Sequence, residues 1–414
     1  MRTRLMTILA LMALGITYAG GFRVALQGQR ALAMGHTGVA VVNNAEVAFF
    51  NPAGMSFLEE KLSVSFGASA VFTNIAFQNE EFGYNTRAEN PTSTPFNLYG
   101  TYKINEKLSL GIAVYTPFGS QVTYPKNWEG SHLINDIALR AIFFQPTISY
   151  KITDKISIGG GPIYASGSVN FTRNLDRSTT DVNGERLAVT IDQSGIGAWG
   201  YTAGMMFKPT EKLTMGINYR SEINVEARGG NADFQNIPEN LQGQFADGTF
   251  DADLPLPAEL SVGASYRFND QWLVALDYNR VFWNAYDALN VSFSNGLESI
   301  NPRNYQDSSV YRFGFQYIAS ELFTFRGGYY FDESPVQEGY FAPETPRNNS
   351  NNFTAGLSVN ISDRFAIDAS FLYVHFNEID ASYDFYQENG QTAPFGGTYK
   401  NNVFVPGLGI TYKL

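Results

Sequence analysis

The sequence predicts an all-β fold, a 14-stranded antiparallel transmembrane β-barrel with an N-terminal plug (hatch) segment in its lumen. Period-two alternation dominates from Lys61 onward, and the connections fall into very short and long classes. Composition agrees: 33 Phe, 24 Tyr, 4 Trp and 39 Gly stand among 414 residues, with only 16% charged. The absence of Cys excludes a disulfide scaffold, a thiol enzyme and a Cys-ligated metal site. A net charge of −11 supplies no clustered basic footprint, so no nucleic-acid partner is expected.

The chain begins as an exported protein does. Arg2 and Arg4 precede an apolar run from Leu5 to Ile16, and Thr17-Tyr18-Ala19 closes it with small residues at the −3 and −1 positions. Residues 1–19 therefore read as a signal peptide cleaved after Ala19. The run is too short to anchor a helix in a membrane, and no later segment approaches that length. Membrane residence then requires a closed barrel, because lipid offers no partner to exposed backbone groups.

Residues 20–60 do not alternate and are rich in Ala and Gly. They end in Phe49-Phe50-Asn51-Pro52-Ala53-Gly54, where Pro52 biases Asn51 toward extended backbone and Gly54 permits a turn. A compact small-residue segment ahead of a large barrel fits a plug. The alternative is a periplasmic tail, which would seldom be this apolar.

Residues 61–414 form the barrel domain. Leu213, Met215, Ile217 and Tyr219 alternate with Thr214, Gly216, Asn218 and Arg220, and Trp272 to Asn279 repeat the pattern. Strands fall at about 61–77, 94–104, 107–118, 139–152, 155–172, 186–208, 211–228, 252–268, 271–293, 305–319, 321–332, 348–361, 363–385 and 398–414. Short turns at Asn105-Glu106, Thr153-Asp154, Thr210-Glu211, Asn269-Asp270, Ser320-Glu321 and Ser362-Asp363 alternate with long loops, as in outer-membrane barrels. A soluble sandwich or propeller would also alternate, but would not place aromatics repeatedly near strand ends. The C-terminus, Gly409 to Leu414, resembles the signal read by the barrel-assembly machinery, with Leu414 in place of the usual aromatic.

With these residues in place, the chain resembles the FadL-type outer-membrane transporters of long-chain fatty acids and other hydrophobic compounds. The resemblance spans the mature chain: Gly20-Gly21-Phe22, a segment closing in Asn51-Pro52-Ala53, then fourteen strands. Tyr115-Thr116-Pro117-Phe118-Gly119 and Phe331-Asp332-Glu333-Ser334-Pro335-Val336 look like family sequence. The resemblance implies a bacterial outer-membrane location, capture of ligand at extracellular loops, binding in the lumen and lateral exit through the wall. The ligand would be a long-chain fatty acid or an aromatic hydrocarbon, released into outer-membrane lipid by a monomer without cofactor or metal.

Particular residues follow from it. Pro117 lacks a donor and Gly119 relaxes the backbone, so Pro117, Phe118 and Gly119 either kink the third strand into a lateral gate or begin a loop after Thr116. Phe22 matches the aromatic near the start of the family's plug, either as a trigger displaced by ligand or as a packing residue. Phe234, Ile237, Leu241 and Phe245 follow helical spacing around Pro238, giving an apolar face for first contact with ligand. Arg173 and Arg303 are the nearest candidates for a carboxylate cation, or else loop charges facing solvent.

Two other functions compete. A barrel lipase or protease needs a positioned base, yet His36, His132 and His375 lie in no local motif with a nucleophile. A general diffusion porin would lack the plug and the kinked wall.

Overall fold

The computed structural model describes residues 22–388 and 390–414, so the signal-peptide expectation for residues 1–19 lies outside the described residues. Fourteen antiparallel strands close into one barrel. They are β1 (Leu62–Ser69, Phe72–Asn79), β2 (Tyr84–Arg87, Phe96–Lys103), β3 (Leu108–Tyr115, Gly119–Thr123), β4 (Asp136–Thr153), β5 (Ile156–Asn174), β6 (Ala188–Phe207) and β7 (Leu213–Arg220, Ile223–Gln235). The circuit continues with β8 (Gly248–Leu256, Glu259–Arg267), β9 (Trp272–Val281, Val291–Phe293), β10 (Glu298–Ser299, Ser308–Ile318), β11 (Phe323–Asp332), β12 (Ser350–Asn360), β13 (Phe365–Phe376, Ile379–Tyr383) and β14 (Phe395–Lys413). Each pairs with the next, and β14 returns to β1, where Leu62 and Leu414 exchange backbone hydrogen bonds of 3.0 and 2.8 Å. Closure removes the sheet edges around the circuit, except where the β2–β3 ladder ends at Tyr115.

The alternation is inside out. In β7, Thr214, Asn218 and Arg220 are buried, whereas Met215 and Ile217 are 45% and 38% exposed. The same outward apolar face carries Phe66, Leu110, Ile148, Leu276, Phe353 and Leu408. A continuous apolar belt of this kind is stable against lipid and not against water. Aromatics border it: Trp272 stacks on Tyr317 at 4.5 Å near the short turns, while Tyr164 lies 4.9 Å from Trp199 further along the wall.

Inward-facing polar side chains meet residues 22–58, which have few sheet partners for their own amides. Asp277 Oδ2 accepts from the N–H groups of Gly38 (2.7 Å) and Val39 (3.1 Å). Ser149 and Ser157 donate to the Ala53 carbonyl at 2.9 and 2.7 Å, and Gln145 donates to that of Ala48 at 2.8 Å. Buried backbone polar groups are thus satisfied by hydroxyls and amides from the wall, which is why its inner face is not apolar. Within this segment lie two short helices, α1 (Gln29–Ala33) and α2 (Val47–Phe50), followed by a 3-10 turn at Pro52–Phe57.

Asn51, Pro52 and Ala53 form a corner there. Asn51 is extended (φ −160°) ahead of Pro52, its Oδ1 accepts from the Ala53 N–H at 3.2 Å, and its Nδ2 donates to the carbonyls of Val39 and Met205. The corner sits so close to the wall that a Cβ on Gly159 would lie 2.6 Å from the Ala53 nitrogen, and one on Gly204 2.3 Å from Asn51 Oδ1. Glycine is required at both strand positions by this approach.

Candidate ligand-binding cavity and wall break

The third strand stops at Tyr115 and resumes at Gly119. Before the break β3 pairs with both β2 and β4; after it, β3 pairs only with β4. Tyr115 is opposite Phe143 and Gly119 opposite Arg140, so β3 uses one residue more than β4 across the interruption, as a bulge does. Pro117 accounts for the break, since it gives the ladder no donor. Beyond it the β2–β3 separation is spanned by Ser93 Oγ donating to Gln121 Oε1 (2.9 Å) and the Glu89 N–H donating to the Thr123 carbonyl (2.7 Å).

The freed backbone of β3 is taken up from inside. Arg23 bridges Phe118 in antiparallel fashion: the Val24 N–H donates to the Pro117 carbonyl at 2.7 Å, and the Gly119 N–H to that of Phe22 at 3.1 Å. The Arg23 guanidinium lies 3.6 Å from Glu259 and 3.4 Å from Asp332. Phe22 is consequently buried in an aromatic nest, with ring centroids 5.8 Å from Phe118, 5.2 Å from Trp283 and 5.6 Å from Tyr286.

Phe22 and Phe118 border a cavity of about 140 Å³ whose walls are mostly aliphatic, among them Leu139, Val169, Ile191, Val225 and Leu254. Its polar patch contains Arg173, Ser299, Arg303 and Glu344. Arg303 forms a buried ion pair with Glu344 and lies over the Tyr383 ring at 5.2 Å. Arg173 instead donates to Ser299 Oγ at 3.0 Å and to the His132 carbonyl at 3.3 Å. Among the described residues no carboxylate pairs with Arg173.

A second cavity, about 490 Å³, shares Phe118, Gly119, Leu139, Arg140 and Ala141 with the first. It borders inward Leu139 and Ala141 and also outward Ile142 and Phe96. The two cavities therefore meet at the break, and the second touches both faces of the wall there.

A family model described as "Outer membrane protein transport protein (OMPP1/FadL/TodX)" matches residues 10–414. The chain belongs to this family. The long-chain fatty acid transport protein of Escherichia coli O6:H1 is 21% identical over 87% of this chain and 89% of its own length. Among solved structures, a Pseudomonas aeruginosa FadL homologue superposes with a TM-score of 0.83 at 18% identity, covering 95% of this chain and all of that one. The Pseudomonas putida toluene transporter TodX gives 0.71 at 19% identity, over 94% and 98% of the two chains. These structures share the barrel fold. As an OMPP1/FadL/TodX protein, the chain is an outer-membrane transporter of hydrophobic compounds and not an enzyme.

In this family member the residues singled out from sequence separate into three places. Phe22, Phe118, Gly119, Arg173 and Arg303 border one cavity, with Pro117 beside them. Asn51, Pro52 and Ala53 lie away from it, against β5 and β6.

The loop expectation is corrected. No helix forms over 234–245: Phe234 belongs to β7, opposite Val189, and the following residues make successive turns, with Leu241 N–H donating to the Pro238 carbonyl at 2.8 Å. Asn236 adopts positive φ (59°), and so short a segment does not sustain helix nucleation when strand pairing competes. Nor is the apolar face free. Phe234 is 8% exposed and meets Phe245 at 5.9 Å and Phe293 at 5.4 Å; Ile237 packs on the same cluster, and Leu241 is half-buried at the turn. Val189, Ile191, Phe250 and Val291 of this cluster face the cavity, so Phe234 and Phe245 lie behind its lining.

Sequence reasoning missed Glu344, Glu259 and Arg23. Glu344 and Arg303 are 41 positions apart, and no local pattern pairs them.

Proposed function

We propose that this transporter takes up amphipathic hydrophobic molecules, long-chain fatty acids foremost, and delivers them sideways into the outer membrane. The supporting observation is the charge balance of the cavity: Arg303 is neutralised by Glu344, whereas Arg173 has only neutral hydrogen-bond partners among the described residues. An uncompensated guanidinium facing inward in an aliphatic chamber suits a carboxylate at the head of an apolar chain. Arg303 supplies shape and a polar floor in this reading, not net charge.

Capture begins at the turn around Leu241, with Phe234, Ile237 and Phe245 packed beneath it as its support. Residues 22–58 act as the plug, and the arriving tail displaces Phe22 from its aromatic nest. That movement strips the interior partners from Pro117, Phe118 and Gly119 and frees the path between β2 and β3. The long-chain fatty acid transport protein of E. coli supports the acid reading by its name, while TodX, a toluene transporter, sits on the same fold with an uncharged cargo.

Binding of oleic acid and of oleyl alcohol to the purified barrel separates the two. The acid binds more tightly, and Arg173→Gln removes about tenfold of that preference, the scale of one charge-assisted hydrogen bond. Equal affinity for acid and alcohol in the wild-type protein contradicts the acid reading.

A further inference from the structure

We infer that Arg140, on the outer face of the wall, is a second anion-binding site, which receives the carboxylate of an amphipath as it leaves through the break. The inference rests on the proposed uptake of acids with lateral exit, and extends it to a residue outside the lumen.

Strand β4 fixes the direction of the side chain. Ile137 and Phe143 are buried in the interior, and Leu139 and Ala141 pack against the same interior cluster, so Arg140 and Ile142 project outward with Phe144, which is 41% exposed. Arg140 is exposed, and among the described residues its side chain makes no hydrogen bond or ion pair. Its backbone partners are Gly119, the first residue after the break, and Ser168 on β5. Both cavities border it.

The height on the wall can be read from the aromatic belt. Phe144, Tyr164 and Trp199 occupy one register row across β4, β5 and β6, with ring centroids 6.5 and 4.9 Å apart. Arg140 lies four residues beyond that row, about 13 Å along the strand or about 10 Å along the membrane normal at ordinary tilt. Around it the outward positions turn polar, with Ser168 and Asn170 on β5 and Gln121 at the rim of the break. This is the level at which an apolar belt gives way to headgroups.

An amphipath moving sideways from lumen to leaflet must finish with its tail among acyl chains and its carboxylate at that level. Arg173 is five residues beyond Ser168 along β5, so it stands about 16 Å further along the strand, or about 12 Å along the membrane normal, and on the opposite face of the wall. On the way to the break a carboxylate released by Arg173 passes Arg303, already paired with Glu344, and Arg23, held by Glu259 and Asp332, with Arg347 also bordering the second cavity. Past the break Arg140 offers planar, bidentate donors. An uncompensated guanidinium at the edge of the belt calls for an anion. Phosphates of outer-leaflet lipids share this chemistry, but contact with the inner cavity favours the departing carboxylate.

The test compares uptake of oleic acid and methyl oleate by cells carrying wild-type protein, Arg140→Gln or Arg140→Lys at equal surface levels, with oleate affinity measured on each purified barrel. In Arg140→Gln, acid uptake falls about fivefold to tenfold while ester uptake holds and oleate affinity falls by less than in Arg173→Gln, and Arg140→Lys recovers most of the loss. Undiminished acid uptake in Arg140→Gln overturns the inference, as does a parallel fall of acid and ester, which marks a structural role at the break. Loss of co-purifying anionic lipid with acid uptake intact also overturns it, assigning Arg140 to the leaflet. Wild-type protein that moves the ester but not the acid defeats the underlying reading instead, and is distinguished by being seen without any mutation.

Discussion

Val24 donates its backbone N–H to the carbonyl of Pro117 at 2.7 Å, so the residue that breaks the third strand is held by the N-terminal segment. A break in a barrel wall leaves polar backbone facing lipid or an empty lumen, and either is costly. Here the next residues, Arg23 and Phe118, form a bridge that satisfies the break from inside. Whatever loosens residues 22–24 unmakes that patch.

Arg23 should hold the patch in place. Its guanidinium lies between Glu259 and Asp332, and removing one member of a buried ionic group leaves the others uncompensated. Arg23→Ala is expected to detach the segment locally without unfolding the barrel. The chain has no Cys, so Val24→Cys gives a clean reporter. Thiol labelling at that position should rise at least several-fold in the Arg23→Ala background, with heat-modifiable migration unchanged; equal labelling contradicts the role of the ion pairs.

Phe22 contributes through packing with Phe118, Trp283 and Tyr286. Phe22→Ala should cost about 3–5 kcal/mol of docking for the segment, the usual range for a buried Phe. The same reporter cysteine should become labelled without ligand. A small-molecule leak in proteoliposomes is the second readout, and an unchanged leak argues that Phe22 is not part of the closure.

At the extracellular side, serine replacement of Phe234, Ile237, Leu241 and Phe245 should slow uptake at low ligand concentration more than at saturation. Each fully buried side chain at stake is worth about 1.5–3 kcal/mol. Because Phe234 and Phe245 pack behind the cavity lining, Leu241→Ser alone separates capture from packing: it should reduce the initial rate while leaving oleate affinity intact. Uptake kinetics unaffected by the quadruple change would rule out capture there.

Acid should loosen residues 125–135, which cap the first cavity through Leu133. His132, in the loop before β4, packs against Tyr386 at 4.5 Å and Phe395 at 5.3 Å, and neither ring nitrogen has a hydrogen-bond partner among the described residues. Burial and the neighbouring Arg177 hold its pKa down to about 3. A folded value below the ordinary one, about 6.5, means that the cap is fully stable above that pH and loses stability as pH falls toward the folded value. Amide protection factors in residues 125–135, corrected for the slower intrinsic exchange in acid, should therefore fall from pH 7.5 to 5, and His132→Phe should flatten that dependence. An identical pH response in His132→Phe assigns it to other groups.

The strand circuit was legible in the sequence because each strand carries its own two-sided pattern, as Leu213 to Arg220 does without help from any neighbour. Pro117 and Gly119 marked either a break or a strand end, since a missing donor is a local fact, and the choice between the two rested on the family resemblance. What fills the break was not legible: Arg23 and Phe118 lie far apart in the chain, and nothing near either marks the other. The same holds for Arg303, whose net contribution depends on Glu344 across a loop. Phe234 to Phe245 failed for a different reason. Spacing that suits a helix also suits a strand end followed by turns, and the packing partner on β6 decided between them.

The passage between β2 and β3 is the central claim, and bridging it tests the claim most directly. Ser93 and Gln121 face each other across the separation, with Oγ 2.9 Å from Oε1, and the chain has no competing thiol. Ser93→Cys with Gln121→Cys, joined by a short bifunctional thiol reagent, should abolish oleic acid uptake while oleate still binds inside, with recovery when a reducible linker is cleaved. Full uptake through the bridged barrel would contradict lateral exit and leave a route through the N-terminal segment.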